Sequence, residues 1–253
     1  MTGDERPLAG RTALVTGALG AIGSAVVDGL AEAGAAVALH HLGEDARAER
    51  RVAALAERGV RAVAVEADVR DWASVAAMVA AAERGLGPVD VLVNNAGHMA
   101  PAPFTGMTLD DWQRTIDVDL TGVFVVSRHL APGMVARGRG AIVNVASQLA
   151  FKGAREYSAY CAAKAGVVGL TRAMARELGP AVRVNAIAPG PVDTPFIAPW
   201  ATEEWREERT RDSVIRRLAV PDEVAPTVVF LATEGAALFH GQTLHLNGGG
   251  VMA

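Results

Sequence analysis

The sequence predicts a single α/β domain, a doubly wound sheet of about seven parallel strands with helices on both faces. Three observations carry that expectation. Short apolar or β-branched runs alternate with longer helix-like segments from one end of the chain to the other. The runs are almost continuously apolar, as strands covered on both faces must be. No linker or low-complexity stretch interrupts the pattern, so one domain spans residues 1–253, and at 51% hydrophobic residues it can bury a substantial core.

In chain order, the strand run Thr12–Thr16 leads through a glycine-rich turn into the helical segment Ile22–Ala33. Ala36–His41 and Asp45–Arg58 follow, then Arg61–Glu66 and Trp72–Arg84, then Val89–Val93 and one long helical segment, Leu109–Arg137. The second half runs Ala141–Ala146, Ser158–Leu178, Val182–Ile187, Pro221–Ala232 and a last strand at Thr243–Leu246. The helical segments repeat apolar residues at three and four and are rich in Ala, Glu and Arg. Right-handed crossovers wind such a chain into an open sheet whose ligands sit beyond the carboxyl ends of the strands. The residues that follow each strand are therefore the candidates for binding and chemistry.

Composition narrows the function. A net charge of −4 with dispersed Lys and Arg provides no basic stripe for nucleic acid and no polybasic membrane anchor. The single cysteine, Cys161, excludes an intramolecular disulfide and a cysteine metal site, and no metal is expected. The first residues, MTGDERPLAG, lack the basic and apolar regions of a signal peptide, and no run reaches the ~18 apolar residues of a membrane span. The expectation is a cytoplasmic protein that acts on small molecules.

The turn after the first strand reads TGALGAIG, with Gly17, Gly20 and Gly23 spaced G-x-x-G-x-x-G. A helix N-terminus offers unpaired amides and partial positive charge to a pyrophosphate, and glycine allows close approach, but the same stretch also suits a tight turn without a ligand. Later strand ends add Asp68-Val69, then Asn94-Asn95-Ala96-Gly97, then Ser147. Beyond Ser147 come Tyr160 and Lys164, four apart and hence on one helix face, where the ammonium favours the ionised phenol. Bringing a tyrosine from ~10 to about 7 asks for roughly 4 kcal/mol. Taken alone, Tyr160 and Lys164 also fit an ordinary amphipathic pair.

Together, TGxxxGxG, the DV pair, NNAG, Ser147 and Y-x-x-x-K resemble the short-chain dehydrogenase/reductase family, in particular its 3-oxoacyl-carrier-protein reductase-like branch. The resemblance covers nearly the whole chain, from Leu8 to Asn247-Gly248-Gly249-Gly250. It implies a Rossmann-type fold and hydride transfer between NAD(P)(H) and a carbonyl or secondary alcohol. Gly17, Leu19, Gly20, Ala21, Ile22 and Gly23 would hold the pyrophosphate, Asp68 and Val69 the adenine, and Asn95, Ala96 and Gly97 the wall of the cofactor cleft. Tyr160 would be the general acid in reduction and the base in oxidation. Ser147 would hydrogen-bond the substrate oxygen, while Lys164 would hold the nicotinamide ribose and lower the pKa of Tyr160. The loop Pro189-Gly190-Pro191-Val192-Asp193-Thr194 resembles the family's PGxVxT, with Pro189, Gly190, Val192 and Thr194 at the nicotinamide. Tyr157 and Cys161 are assigned to packing or the rim.

Two positions depart from the family. Ala21 stands where Gly is usual, and Asp119, in DLTGVF, stands where an Asn helps hold a kinked helix and a water that links the lysine to solvent. Asp119 can pair with Lys164, hold a proton, or replace the relay imperfectly. Loss of turnover would leave a cofactor-binding sensor or scaffold, the competing reading. After the second strand stand His40, His41 and Leu42, with neither the carboxylate that favours NAD nor an adjacent Arg or Lys for NADP. Histidine can donate to a phosphate and Arg47 is close, so His41 is assigned to the cofactor and the balance leans to NADP(H). The alternative makes both histidines surface residues at a strand end.

Residues 195–217 read as a short helical lid, with Gln148, Met99, Phe196 and Trp200 as candidate substrate contacts or, equally, as packing. Arg206, Arg209 and Arg211 either attract an acidic carrier or, by default, balance nearby glutamates. The long helices Leu109–Arg137 and Ser158–Leu178 carry apolar residues on more than one face, and the resemblance makes a homotetramer the expectation.

Overall fold

In the computed structural model, which describes residues 6–199 and 201–252, the apolar runs form one parallel sheet. Its strands are β1 (Thr12–Val15), β2 (Ala36–His41), β3 (Ala62–Glu66), β4 (Val91–Asn94), β5 (Gly140–Val145), β6 (Val182–Pro189) and β7 (Thr243–Leu246). Among the described residues they lie in the order β3-β2-β1-β4-β5-β6-β7, every neighbour parallel. The chain builds outward from β1 to one edge, returns beside β1 as β4, and then builds toward the other edge. The reversal between β1 and β4 opens the crevice in which such sheets bind ligands.

The helices are α1 (Ala21–Glu32), α2 (Asp45–Glu57), α3 (Trp72–Leu86), α4 (Leu109–Ile116), α5 (Gly122–Ala136), α6 (Leu149–Lys152), α7 (Ser158–Leu178), α8 (Glu203–Thr210) and α9 (Pro221–Ala232). Successive strand residues point to opposite faces, and both faces are core. Val15, Val93 and Val143 pack with Val26, Leu30, Leu55, Val228 and Leu231 of α1, α2 and α9. Their neighbours Leu14, Leu92 and Ile142 pack on the other face with Val75 and Met78 of α3 and Leu130 and Met134 of α5. This is why the strands read as unbroken apolar runs.

Polar cross-links tie the central strands to the helices. Asn94 and Asn144 are paired in register on β4 and β5. The Asn94 amide donates to Asn144 Oδ1 (2.8 Å) and Ser127 Oγ (3.0 Å), and the Asn144 amide donates to Thr171 Oγ1 (2.9 Å). Each of these groups is buried, so each needs its partner.

The helical segment foreseen over Leu109–Arg137 is present, but it carries a π turn at Asp117–Thr121, between α4 and α5, at the position where the resemblance implies a kink. The wider turn carries Asp119 inward, where its Oδ2 accepts the His98 amide (2.8 Å) and its Oδ1 lies 3.0 Å from Lys164 Nζ. The apolar periodicity reveals nothing of this, because the contacts Asp119 makes are with residues distant in the chain.

Candidate active site

The turn after β1 is fastened to the end of β4. Thr16 Oγ1 accepts the amides of Asn95 (2.9 Å) and Ala96 (3.0 Å), and the Asn95 side chain donates back to the carbonyls of Thr16 and Gly17. Gly17 has φ +62°, and a Cβ there would stand 3.0 Å from Ala96 Cα. A Cβ on Gly23 would stand 2.2 Å from the Gly17 carbonyl oxygen. These two glycines thus serve the close packing of turn, strand end and helix. Gly20 differs: its nearest contact would be at 3.4 Å, and no side chain caps α1 there. The first amides of α1 are consequently left for an anion, and the site fits a dinucleotide pyrophosphate. Ala21 opens the helix with no left-handed backbone, so its methyl group needs no strained conformation.

His40 corrects the surface reading of the two histidines. Both are buried. His40 Nδ1 accepts the Gly17 amide (3.0 Å), which places the ring proton on Nε2, directed at the Ala67 carbonyl (2.9 Å). Burial pushes its pKa down, against a smaller upward pull from the Ala67 bond, and keeps the ring neutral as a clamp on the turn. His41 Nδ1 accepts the Glu44 amide (3.3 Å) and lies 3.8 Å from Asp45. Arg47 donates to the Leu19 carbonyl and pairs with Glu44.

Two adjoining cavities lie along the strand ends. One is lined by Leu19, Gly20, His41, Asp68, Val69 and Gly97, together with Arg70, His98 and Arg114, which were not singled out in the sequence. The Asp68 carboxylate is held by Arg70 (2.6–3.1 Å), whose hydrogen bonds keep its pKa below the usual range. The other cavity takes Gly17, Ala21, Ile22, Gly23, Asn95 and Ala96 on one side and Ser147, Tyr160, Lys164 and Asp119 on another. Pro189, Gly190, Val192 and Thr194, and the substrate candidates Gln148, Met99 and Phe196, complete its walls. Trp200 lies outside the described residues. Tyr157, Trp205 and Arg209 also line this cavity. The last two stand four apart on α8, a spacing the sequence displayed but did not connect to the site.

Ser147 follows the end of β5, and α7 presents Tyr160 and Lys164 one turn apart. Lys164 is buried, donates to the Val145 carbonyl (3.0 Å), and stands 5.5 Å from the centroid of the Tyr160 ring. Of the alternatives for Asp119, the geometry selects the ion pair with Lys164, inside the fold at 0% and 4% side-chain exposure. Gly97 makes room for it, since a Cβ there would stand 3.0 Å from Asp119 Oδ1.

Burial raises the Asp119 pKa despite the opposing pull of Lys164 and the His98 amide. Burial is also the largest influence on Lys164 and acts downward, but Asp119 and Tyr160 together carry it above its ordinary value. Burial, the largest influence on Tyr160, raises the phenol's pKa; the Lys164 charge lowers it, as the resemblance implies, the Asp119 charge raises it further, a hydrogen bond with Ser147 lowers it, and the net direction is up. Among the described residues no group of three His, Cys, Asp or Glu side chains is placed to hold a metal ion, and no helix is long and apolar enough to cross a membrane.

A family profile described as Enoyl-(Acyl carrier protein) reductase matches residues 17–250. The cis-4-hydroxycyclohexanecarboxylate dehydrogenase of Sinomonas cyclohexanicum is 44% identical over 241 residues, 94% of this chain and 96% of its own. The chain belongs to the short-chain dehydrogenase/reductase family. Another member, the 3-oxoacyl-[acyl-carrier-protein] reductase of Staphylococcus aureus, is 37% identical over 244 residues, covering 94% of this chain and 97% of the relative. Among solved members, a gluconate 5-dehydrogenase from Burkholderia cenocepacia, in complex with NADP and tartrate, superposes with a TM-score of 0.92 at 33% identity and 97% coverage of both chains. This short-chain dehydrogenase/reductase is an NAD(P)-dependent oxidoreductase of carbonyl and alcohol substrates.

Proposed function

We propose that the protein interconverts a ketone and a secondary alcohol with Tyr160 as the acid–base residue. The observation that carries this reading is the convergence of Ser147, Tyr160 and Lys164 on the cavity that also holds the glycine turn. Gly17, Gly20, Ala21, Ile22 and Gly23 would hold the pyrophosphate, Asp68 and Val69 the adenine, and Asn95, Ala96, Gly97, Pro189, Gly190, Val192 and Thr194 the rest of the dinucleotide. The nicotinamide, when bound, supplies or accepts the hydride.

Every other part of the chemistry belongs to the chain. Ser147 donates to the carbonyl oxygen and fixes its position. Tyr160 delivers the proton to that oxygen in reduction and withdraws it in oxidation. Lys164, kept charged by Asp119, steadies the phenolate once the proton has left. The Asp119 pairing with Lys164 supports turnover over the competing sensor reading. Residues 195–217 act as a lid whose Phe196, Ile197, Trp205 and Arg209 wall the cavity.

NADP(H) is the favoured cofactor, supported by Arg47 at the Leu19 carbonyl and by the absence of an acidic residue at the end of β2. The protein works as a cytoplasmic homotetramer, a reading supported by its single cysteine and by apolar side chains left in solvent on the α4–α5 segment.

The test is an absorbance assay of nicotinamide oxidation and reduction over a panel of ketones and secondary alcohols, with NADH and NADPH compared. Tyr160→Phe is expected to lower kcat by about 10²- to 10⁴-fold with little change in cofactor affinity. Turnover of Tyr160→Phe at the wild-type rate would overturn the assignment, and a strong NADH preference would overturn the cofactor choice.

A further inference from the structure

Three charged side chains line the cavity that holds Ser147 and Tyr160, namely Asp119, Lys164 and Arg209. Asp119 and Lys164 neutralise each other at 3.0 Å. Arg209 has no ion pair and no hydrogen bond among the described residues, although it sits in a helix rich in glutamate. Several charged residues around it are engaged, although Arg211, outside the cavity lining, has no such partner among the described residues. Arg206 pairs with Asp193 (3.1 Å), Arg217 with Glu223 (2.6 Å), and Asp212 faces Lys152 (3.7 Å). The cavity therefore carries one uncompensated positive charge, on the wall formed by α8.

That charge is held in place. The Arg209 guanidinium lies 4.9 Å from the centroid of the Tyr157 ring and 5.5 Å from that of Trp205. Two aromatic faces fix its direction and shield it, yet neither is an acceptor in the plane of its N–H groups. Arg209 Nε and Trp205 Nε1 are both buried without a hydrogen-bond partner. Trp205 and Arg209 are also four apart on α8, so both donors come from one side of one helix. Buried donors normally find acceptors. A cation and a neighbouring indole N–H, both lacking an acceptor, make a receptor for a planar anion, and a guanidinium matches a carboxylate in shape as well as charge.

We propose that Arg209, assisted by Trp205, binds a carboxylate on the substrate, so that the enzyme acts on hydroxy acids and the corresponding oxo acids. This rests on the oxidoreductase reading above and deepens it. The carbinol or carbonyl carbon sits at Ser147 and Tyr160, while the carboxylate, which is recognised and not transformed, reaches the α8 wall. Gln148, whose Oε1 is likewise buried without a partner and which lines the same cavity, is placed to meet further polar groups between the two ends.

The experiment uses a series of secondary hydroxy acids with graded spacing between carbinol and carboxylate, each beside its neutral methyl ester, with the intact enzyme and both NAD⁺ and NADP⁺. The best acid is expected to exceed its ester by about 10- to 100-fold in kcat/KM. Arg209→Gln should remove most of that advantage through KM, lowering kcat/KM for the acid at least about 10-fold more than for the ester, and Arg209→Lys should restore part of it. Ester turnover serves as the control that the variant is folded. If wild type oxidises esters as well as acids, or if Arg209→Gln lowers both alike, carboxylate recognition fails and the oxidoreductase reading stands. If wild type oxidises no member of the series with either cofactor and no ketone panel is reduced, both fail together.

Discussion

At Asp119 a single charge separates this chain from the asparagine usual in its family. The carboxylate is fully buried, and its negative charge raises the pKa of both Lys164 and Tyr160. The sign of a substitution follows. Asp119→Asn removes an upward push on Tyr160, so the phenol ionises at lower pH. The limb of alcohol oxidation that rises as Tyr160 loses its proton should shift to lower pH, and carbonyl reduction, which needs the protonated phenol, should begin to fall at lower pH. Profiles of kcat/KM against pH in both directions measure this. Unmoved limbs would show that Asp119 does not act on the tyrosine, and an upward shift would show that Lys164 loses its own proton when its partner is removed.

The glycine turn and the broken helix show what local sequence can and cannot convey about an element. Gly17 and Gly23 were legible as special positions because the strand-turn-helix pattern surrounds them. Their job was less so, since the Cβ clash at Gly23 is with the Gly17 carbonyl and not with a ligand. The clamp from His40 was illegible, because a histidine at the end of β2 reveals nothing about the amide it meets on the neighbouring strand end. The same holds for the π turn, which carries Asp119 inward to His98 and Lys164, and for Arg209, which shares a cavity with Ser147 only after the lid segment folds over. For the turn, the physical reading has a direct test. Gly23→Ala places a methyl 2.2 Å from a backbone oxygen, so the turn must move. Overpacking of this kind costs about 1–3 kcal/mol. The variant should melt at lower temperature and bind the dinucleotide more weakly, as read by thermal denaturation with and without NADPH. Ala21→Gly, which meets no such obstacle, should melt within a few degrees of wild type. Equal melting of the Gly23 variant and wild type would show that the turn is softer than its contacts imply.

For the whole molecule, the parallel, doubly covered sheet and the placement of its helices were legible because two independent regularities agree: runs apolar at every position, and helices between every pair of them. Both follow from a sheet buried on two faces, and the register of Leu14 with Leu92 and Val15 with Val93 places one pair on each core. Assembly is a different matter, because a surface that binds a second copy resembles an incompletely covered core. The α4–α5 segment leaves Leu109 (77%), Phe124 (47%) and Val135 (43%) open to solvent. Full burial of a large apolar side chain gains about 1.5–3 kcal/mol, and every interface that repeats in a symmetric oligomer gains it more than once. Light scattering is therefore expected to give four times the 26.2 kDa chain mass. Phe124→Asp puts a charge at that surface without disturbing a core position, so the folded chain should survive, with unchanged far-ultraviolet circular dichroism, as a smaller species. A wild-type monomer at every accessible concentration would refute the tetramer. A tetramer that tolerates Phe124→Asp would move the interface to another face, with α7 the next to test because its apolar residues also occupy more than one side.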